Sequence, residues 1–320
     1  MSALPHAEHQ ALAAPEVRIG DLFSLTKPRI TANVLLTTAA GVFLAPGHLG
    51  LARLVETLLG TALVVSGANT LNCYVERETD ARMLRTRGRA IAAGRVEPRD
   101  GLMLGLVLAL LSVPLLCLGL NPLTGLLALV ALVSYVAVYT PLKRVTPKAL
   151  LIGAVPGAIP PLLGWTAVTG TLDTGGLLLF AFMFVWQIPH FLAITLYLKD
   201  DYARGGHRVM PLVRGEGAAR RHLLLWSLAL VPVSLSFTFF HLAGLAYAGV
   251  AVALGAGFVV FAVRAVRSSA GPGAMRSARA VFAYSLLYLL LLFPALIADR
   301  RTPPAPAVVA SSAAPPAVGS

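Results

Sequence analysis

Residues 51–89 read LARLVETLLGTALVVSGANTLNCYVERETDARMLRTRGR. The part from 52 to 75 is mainly apolar and long enough to cross a bilayer, which takes about 20 such residues. It runs straight into Arg77, Arg82, Arg85, Arg87 and Arg89. A membrane span that ends in a dense basic cluster reads as a helix leaving the bilayer on the cytoplasmic side. The rest of the chain repeats this pattern. Further spans are expected near 30–47, 102–120, 122–140, 149–169, 174–197, 222–241, 243–264 and 279–298, giving an all-α membrane bundle of about nine helices.

Composition agrees. Of 320 residues, 57% are hydrophobic and only 12% charged, against roughly a quarter charged in a soluble domain. Net charge is +12, from 26 basic and 14 acidic residues. The basic residues sit in short gaps between apolar runs, which points to topology and anionic ligands rather than nucleic acid. They occur before span one (Arg18, Lys27, Arg29) and after spans two, four, six and eight, whereas the gaps near 46–51, 119–123, 170–175 and 241–244 hold no Lys or Arg. This places the N-terminus in the cytoplasm and, with nine spans, the C-terminus outside the cell's inner (plasma) membrane, with Arg300 and Arg301 as a minor exception. Residues 1–22 read as a disordered cytoplasmic tail, 23–299 as the membrane domain, and 300–320, rich in Pro, Ala and Ser, as a disordered tail. Cys73 and Cys117 lack disulfide or metal spacing and read as buried, inert thiols.

Two cytoplasmic gaps carry both signs of charge. Asn72, Glu76 and Asp80 are spaced i, i+4, i+8, which on a helix stacks them along one face. Three oxygen-bearing side chains there repel one another and cost desolvation; a hard divalent cation such as Mg²⁺ would relieve both, and Mg²⁺ is often held by carboxylates plus substrate phosphates. The alternative is a solvated helix end whose acids pair with Arg77 and Arg82, as Glu78 is expected to be. The second gap supplies Asp200 and Asp201. Two facing acidic clusters would hold a diphosphate between metal ions, with Arg85, Arg89, Lys143 and Lys148 clamping its oxygens. The implied reaction is departure of diphosphate and capture of an allylic cation in a dry, apolar chamber.

The Asn72-x-x-x-Glu76-x-x-x-Asp80 spacing resembles the first acidic motif (NxxxDxxxD) of the UbiA-type intramembrane prenyltransferases. Further segments resemble the haem O synthase branch: Leu25-Thr-Lys-Pro-Arg-Ile30, Met83-x-Arg-Thr-x-x-Arg89, Tyr139-Thr-Pro-Leu-Lys-Arg-Val-Thr-Pro147, Gly153-x-x-x-Gly-Ala-Ile-Pro-Pro-x-x-Gly-Trp165, Trp186-Gln-Ile-Pro-His-Phe191, Asp201-Tyr202, Met210-Pro-Leu-Val213 and Tyr284-Ser-Leu-Leu-Tyr-Leu289. The likeness runs from about residue 22 to 298. It implies Mg²⁺-dependent farnesyl transfer from farnesyl diphosphate to a vinyl group of haem b, water completing the new side chain, in a nine-helix bundle that supplies a haem A synthase or terminal oxidase. Glu76 stands where the family usually has Asp, and Gly205 where a full second motif would place another acid.

His190 and Trp186 are candidate haem contacts. Intramembrane histidines are costly and usually functional, and imidazole is a common haem-iron ligand. Ligation, a propionate hydrogen bond and a purely structural role all stay open, as does local breakage of the helix at Pro189. Trp165 and Trp186 fit a pocket wall or an interfacial anchor, and Gly153 and Gly157 a helix-packing seam. The competing readings are a related enzyme with an aromatic quinone precursor as acceptor, a transporter, and a non-catalytic haem-binding assembly factor.

Overall fold

A computed structural model of the chain describes residues 18–268 and 271–301. Of the tails expected at 1–22 and 300–320, residues 1–17 and 302–320 lie outside the described residues, whereas residues 19–22 are not a disordered tail but the start of the helix Ile19–Leu25, which the packing of Leu22 and Leu25 with Cys73 and Ile91 holds in place. In chain order the helices are α1 (Ile19–Leu25), α2 (Pro28–Leu44), α3 (Leu51–Arg82), α4 (Pro98–Gly119), α5 (Pro122–Val133), a π-helical turn (Ser134–Tyr139), α6 (Thr140–Leu142), α7 (Ala149–Thr169), α8 (Thr174–Tyr197), α9 (Lys199–Arg204), α10 (Met210–Val213), α11 (Glu216–Phe239), α12 (Leu245–Arg267) and α13 (Pro272–Ala298). Among the described residues there is no strand, only a single bridge between Ala243 and Arg300.

Eight helices are long and apolar enough to span a bilayer, counting Pro122–Leu142 as one, and α2 is a shorter apolar helix. Together they are the nine expected, and the chain is a multi-pass membrane protein. In hydrocarbon every backbone polar group must be paired within the segment, so apolar runs of this length fold as helices. Starts and stops follow local chemistry. Proline opens α2, α4, α5 and α13, where its missing N–H costs nothing. Asn121 caps α5 and Asp173 caps α8 with side-chain oxygens, and Gly170 closes α7 at φ +67°, a left-handed position that glycine adopts freely. Pro189 does not break α8, which runs unbroken through it.

The helices form a ring. α3 packs on α2 and α4, α4 on α5, and α5 on α7; α7 lies between α2 and α8, and α8 also meets α11 and α13, with α12 between those two. At the α2–α7 seam an added Cβ on Gly41 would strike the Pro161 backbone, and one on Gly164 the Thr38 backbone, so close approach requires glycine at both. Gly153 and Gly157, also on α7, face other neighbours: the Tyr139 ring of the π-helical turn and the Gln187 side chain of α8. Cys73 is buried, but Cys117 is only half-buried, because it lies against Gly125 on the rim of the α4–α5 pair.

The alternation of spans sorts the connections onto two ends. The mouth end gathers the starts of α2, α4, α7, α11 and α13 with the last turns of α3, α6, α8 and α12. The far end gathers the four shorter turns near 45–50, 120–121, 170–173 and 240–244, together with 299–301.

Candidate active site

α3 continues past its apolar run to Arg82, and that extension carries the acidic residues on regular helix. Asn72, Glu76 and Asp80 are all buried, at 2%, 3% and 2% exposure. Asn72 Nδ2 donates to Glu76 Oε2 at 3.0 Å and to Thr140 Oγ1 at 3.2 Å. A row of this kind is stable only if its charge is met, because a buried unpaired carboxylate costs several kcal/mol.

Each member is met by one cation from a different element. Lys27, at the α1–α2 joint, donates from Nζ to Asn72 Oδ1 at 2.8 Å. Lys143, just past α6, sits with Nζ 2.5 Å from Glu76 Oε1. Arg89, in the segment after α3, donates from Nη1 to Asp80 Oδ2 at 2.6 Å. A fourth cation, Arg144, donates to Val75 O and Thr79 Oγ1, each at 3.2 Å. Arg77 and Arg82 are not the partners. Arg77 instead donates to Tyr74 O, lies over the Tyr74 ring and pairs loosely with the exposed Glu78.

Lys27, Lys143, Arg89 and Arg144 outnumber Glu76 and Asp80, so the cluster is net basic and suits an anionic ligand. Burial, with Arg89 and Lys143 close by, pushes the Lys27 pKa down to about 8. Burial opposes the Arg89 charge as well, yet Asp80, Cys73 and Glu76 together outweigh it and the pKa rises. Lys27 also holds φ +51° immediately before Pro28. That is strained backbone for a side-chain-bearing residue, and strain of this sort collects at functional sites.

The second cluster differs from its expected form. Asp201 is buried, but its Oδ1 accepts Leu84 N at 2.6 Å and its Oδ2 accepts Arg85 N at 3.3 Å, with Arg204 3.8 Å away. Asp200 is exposed on the outer side of α9 and forms no ion pair with a described residue. Lys148, the residue that precedes α7, is exposed likewise. Arg85 is exposed too, though its charge reaches Tyr202 and His207. No three His, Cys, Asp or Glu side chains converge among the described residues, so the five-residue donor set expected from sequence is not assembled. What is assembled is Asn72, Glu76 and Asp80 with their cations. These oxygen donors are the hard type that Mg²⁺ takes, and buried Glu76 Oε1 accepts no true hydrogen bond, Lys143 being close but off-axis. The residues fit a divalent cation that arrives with an anionic partner.

The family model for the UbiA prenyltransferase family matches residues 34–286. The chain belongs to the UbiA prenyltransferase family. Among similar proteins, the Protoheme IX farnesyltransferase of Anaeromyxobacter sp. (strain Fw109-5) is 53% identical, over 88% of this chain and 94% of its own. The enzyme of the same name from Synechocystis sp. is 41% identical, over 92% of each. Solved structures share the fold. One of a digeranylgeranylglyceryl phosphate synthase superposes with TM-score 0.74 at 12% identity, covering 88% of this chain and 97% of that one. A UbiA homologue from Archaeoglobus fulgidus bound to GPP and Mg²⁺ gives 0.62 at 16% identity, covering 87% and 99%.

In this UbiA prenyltransferase the other candidates lie deeper. His190 sits two turns inside the end of α8 and faces α13. Its ring stacks on Trp186 with centroids 4.9 Å apart and lies against Phe282. Trp186 Nε1 donates to Ser285 O at 3.0 Å. Ser285 Oγ donates to Phe282 O at 2.6 Å and lies 2.7 Å from His190 Nδ1. With the one hydroxyl hydrogen on Phe282 O, His190 would donate from Nδ1 and keep its lone pair on Nε2. Trp165 is buried at the far end against Gly175 and Gly176, remote from the mouth. Sequence reasoning missed Lys27, Arg144, Thr140 and His207 as members of the site. Lys27 and Arg144 lay within quoted motifs, and their only signal was charge beside a proline-marked turn. His207, from the connection after α9, is buried with Nδ1 unpartnered among the described residues, and burial beside Lys143 lowers its pKa to about 4.

Proposed function

We propose that this chain transfers the farnesyl group of farnesyl diphosphate to a vinyl group of haem b, releasing diphosphate and giving haem O. The observation that carries the donor is the buried row Asn72–Glu76–Asp80, each member matched by its own cation at the mouth of a membrane bundle. The acceptor rests on the relatives named Protoheme IX farnesyltransferase at 53% and 41% identity. The Archaeoglobus homologue solved with GPP and Mg²⁺ supports the pairing of prenyl diphosphate with a divalent cation on this fold.

The roles of the residues follow from their charges. Lys27, Lys143 and Arg89 neutralise the oxygen row while the site waits and turn to phosphate oxygens when the diphosphate arrives. Asn72, Glu76 and Asp80 are then free to hold Mg²⁺. That ion, once bound, supplies the positive charge that makes diphosphate a leaving group. The carbon–oxygen bond of the donor breaks with its electron pair going to diphosphate. The vinyl π electrons form the new carbon–carbon bond, and water closes the remaining cation with loss of a proton. Apolar helix walls keep other water out.

His190 is proposed as a haem-iron ligand through Nε2, since its Nδ1–H is spent on Ser285 and a propionate contact would need an N–H at Nε2. Trp186 holds that ring in place by stacking. The N-terminus is proposed to be cytoplasmic and the C-terminus outside, in the inner membrane, from the basic gaps; a haem A synthase or terminal oxidase would receive the product.

The test is mass and absorption analysis of haem extracted after expression in a host lacking haem O. Appearance of the hydroxyethylfarnesyl haem is expected. Prenylation of an aromatic acid with no haem product would overturn the acceptor. His190→Ala is expected to abolish the histidine-ligated Soret band while diphosphate binding persists.

A further inference from the structure

Trp186, His190 and Tyr197 are spaced i, i+4, i+11, which sets them on one face of α8. Arg279, Phe282 and Ser285, three residues apart, meet that face from α13. Trp186 Nε1 and His190 Nδ1 reach Ser285. The Phe282 ring centroid lies 4.9 Å from that of His190 and 5.7 Å from that of Tyr197. At the mouth the Arg279 guanidinium ends the column, 5.8 Å from the centroid of the Tyr197 ring. Arg279 is exposed and forms no ion pair with a described residue. Tyr197 is half-buried, and its hydroxyl makes no hydrogen bond to a described residue. A seam built only for packing needs neither group at its end. Arg264 offers a contrast. It lies 5.8 Å over Phe261, whose ring leans on Tyr284, and Tyr284 donates away to Leu254 O, so that pair does not lead to His190.

Seven residues of helix separate His190 from Tyr197, about 10 Å along the axis. That is comparable with the reach from a porphyrin's iron to its propionate carboxylates. We infer that Arg279 and Tyr197 form the propionate dock of the haem, fixing its acid edge at the mouth and its vinyl edge in the interior. The inference rests on the haem reading and adds the orientation of that substrate. Arginine suits the task, since a guanidinium can lie on an aromatic face and still bond a carboxylate along its edge. Depth agrees. Gly153 faces the Tyr139 ring, and Gly157, one turn deeper on α7, faces Gln187. His190 lies three residues back toward the mouth from Gln187, near the level of Tyr139 and of Thr140, which accepts from Asn72. A vinyl edge deeper than His190 is therefore deeper than Asn72, where the apolar chain of a diphosphate held by the oxygen row must descend.

The test titrates haem b, and its dimethyl ester with both propionates neutral, into the full-length protein in detergent, followed by the Soret band. Wild type is expected to bind the ester about tenfold more weakly than haem b. Arg279→Gln is expected to weaken haem b binding about tenfold while ester binding stays within about twofold, because only a free carboxylate loses its partner. Tyr197→Phe should show a smaller loss, about threefold, again confined to haem b. Arg264→Gln should bind both ligands as wild type does, and Arg279→Lys should keep most of the affinity for haem b. The KM for farnesyl diphosphate should stay within about twofold in Arg279→Gln while the KM for haem b rises. Equal losses for haem b and the ester in Arg279→Gln would show a merely structural role and overturn the inference. Wild-type affinity for haem b in Arg279→Gln, or a loss carried by Arg264→Gln instead, would do the same. A wild type that binds haem b and the ester equally well would sink the dock alone, whereas one that binds no haem b would sink the acceptor reading and the dock with it.

Discussion

Both ends of the bundle use acidic side chains, and they use them differently. At the far end Asp173 accepts Gly175 N and Gly176 N at the start of α8, and Asp299 accepts Tyr247 N at the start of α12. Neither has a cation partner among the described residues. Asn121 does the same for α5 and ties it to Thr166 O on α7. These groups satisfy orphan N–H donors at helix starts, where a negative charge also complements the helix dipole. At the mouth, Glu76 and Asp80 lie in the last turns of α3, where a helix offers no free N–H and its dipole repels acids. They are held there by Lys143 and Arg89 from other elements. An acid at a helix start is explained by the helix. A buried acid at a helix end, matched by an imported cation, is explained by what the pair will bind.

The largest effect should come from breaking the mouth. Asp80→Ala is expected to lower turnover about a thousandfold or more while the protein still inserts and keeps its α-helical circular dichroism; near-wild-type turnover by the purified variant would remove Asp80 from the chemistry. Next in size, Lys143→Gln is expected to reduce kcat/KM for farnesyl diphosphate by about a hundredfold, on the order of 3 kcal/mol. Combined with Glu76→Gln the loss should fall well short of the product of the two, since the pair acts as a unit. Strict additivity would separate them.

The smaller effects belong to the scaffold. Gly164→Ala at the α2–α7 seam is expected to cost about 1–3 kcal/mol of stability by overpacking, read as a lower melting temperature with unchanged specific activity in the folded fraction. Asp299→Ala at the far end is expected to cost about 0.5–2 kcal/mol through loss of its cap, with no change in Mg²⁺ requirement. A shift in that requirement would contradict the division between the two ends.

Much of this division was legible in the residues. The apolar runs and the alternation of basic gaps gave nine helices, because bilayer thickness and loop charge are imposed from outside the fold. The i, i+4, i+8 spacing placed Asn72, Glu76 and Asp80 on one face, since α3 stays helical beyond its apolar run. Partner choice was not legible. Pairing Lys27, Lys143 and Arg89 to particular members of the row depends on how α2, α6 and the segment after α3 converge, which no local pattern encodes. The π-helical turn at Ser134–Tyr139, inside an ordinary apolar span, left no signal either. Asp200 and Asp201 are neighbours with the same charge, yet one turns outward and the other clasps Leu84 and Arg85. Helix rotation decides between them, and sequence spacing from α8 did not.

The central claim is that the oxygen row and its three cations exchange partners when metal and diphosphate arrive together. Isothermal titration of the detergent-solubilised protein with Mg²⁺, with inorganic pyrophosphate, and with each in the presence of the other measures this directly. The account predicts feeble binding of Mg²⁺ alone, at least tenfold tighter binding once pyrophosphate is present, reciprocal strengthening of pyrophosphate binding by Mg²⁺, and loss of that coupling in Glu76→Gln. Equally tight Mg²⁺ binding with and without pyrophosphate, or coupling that survives Glu76→Gln intact, would contradict it.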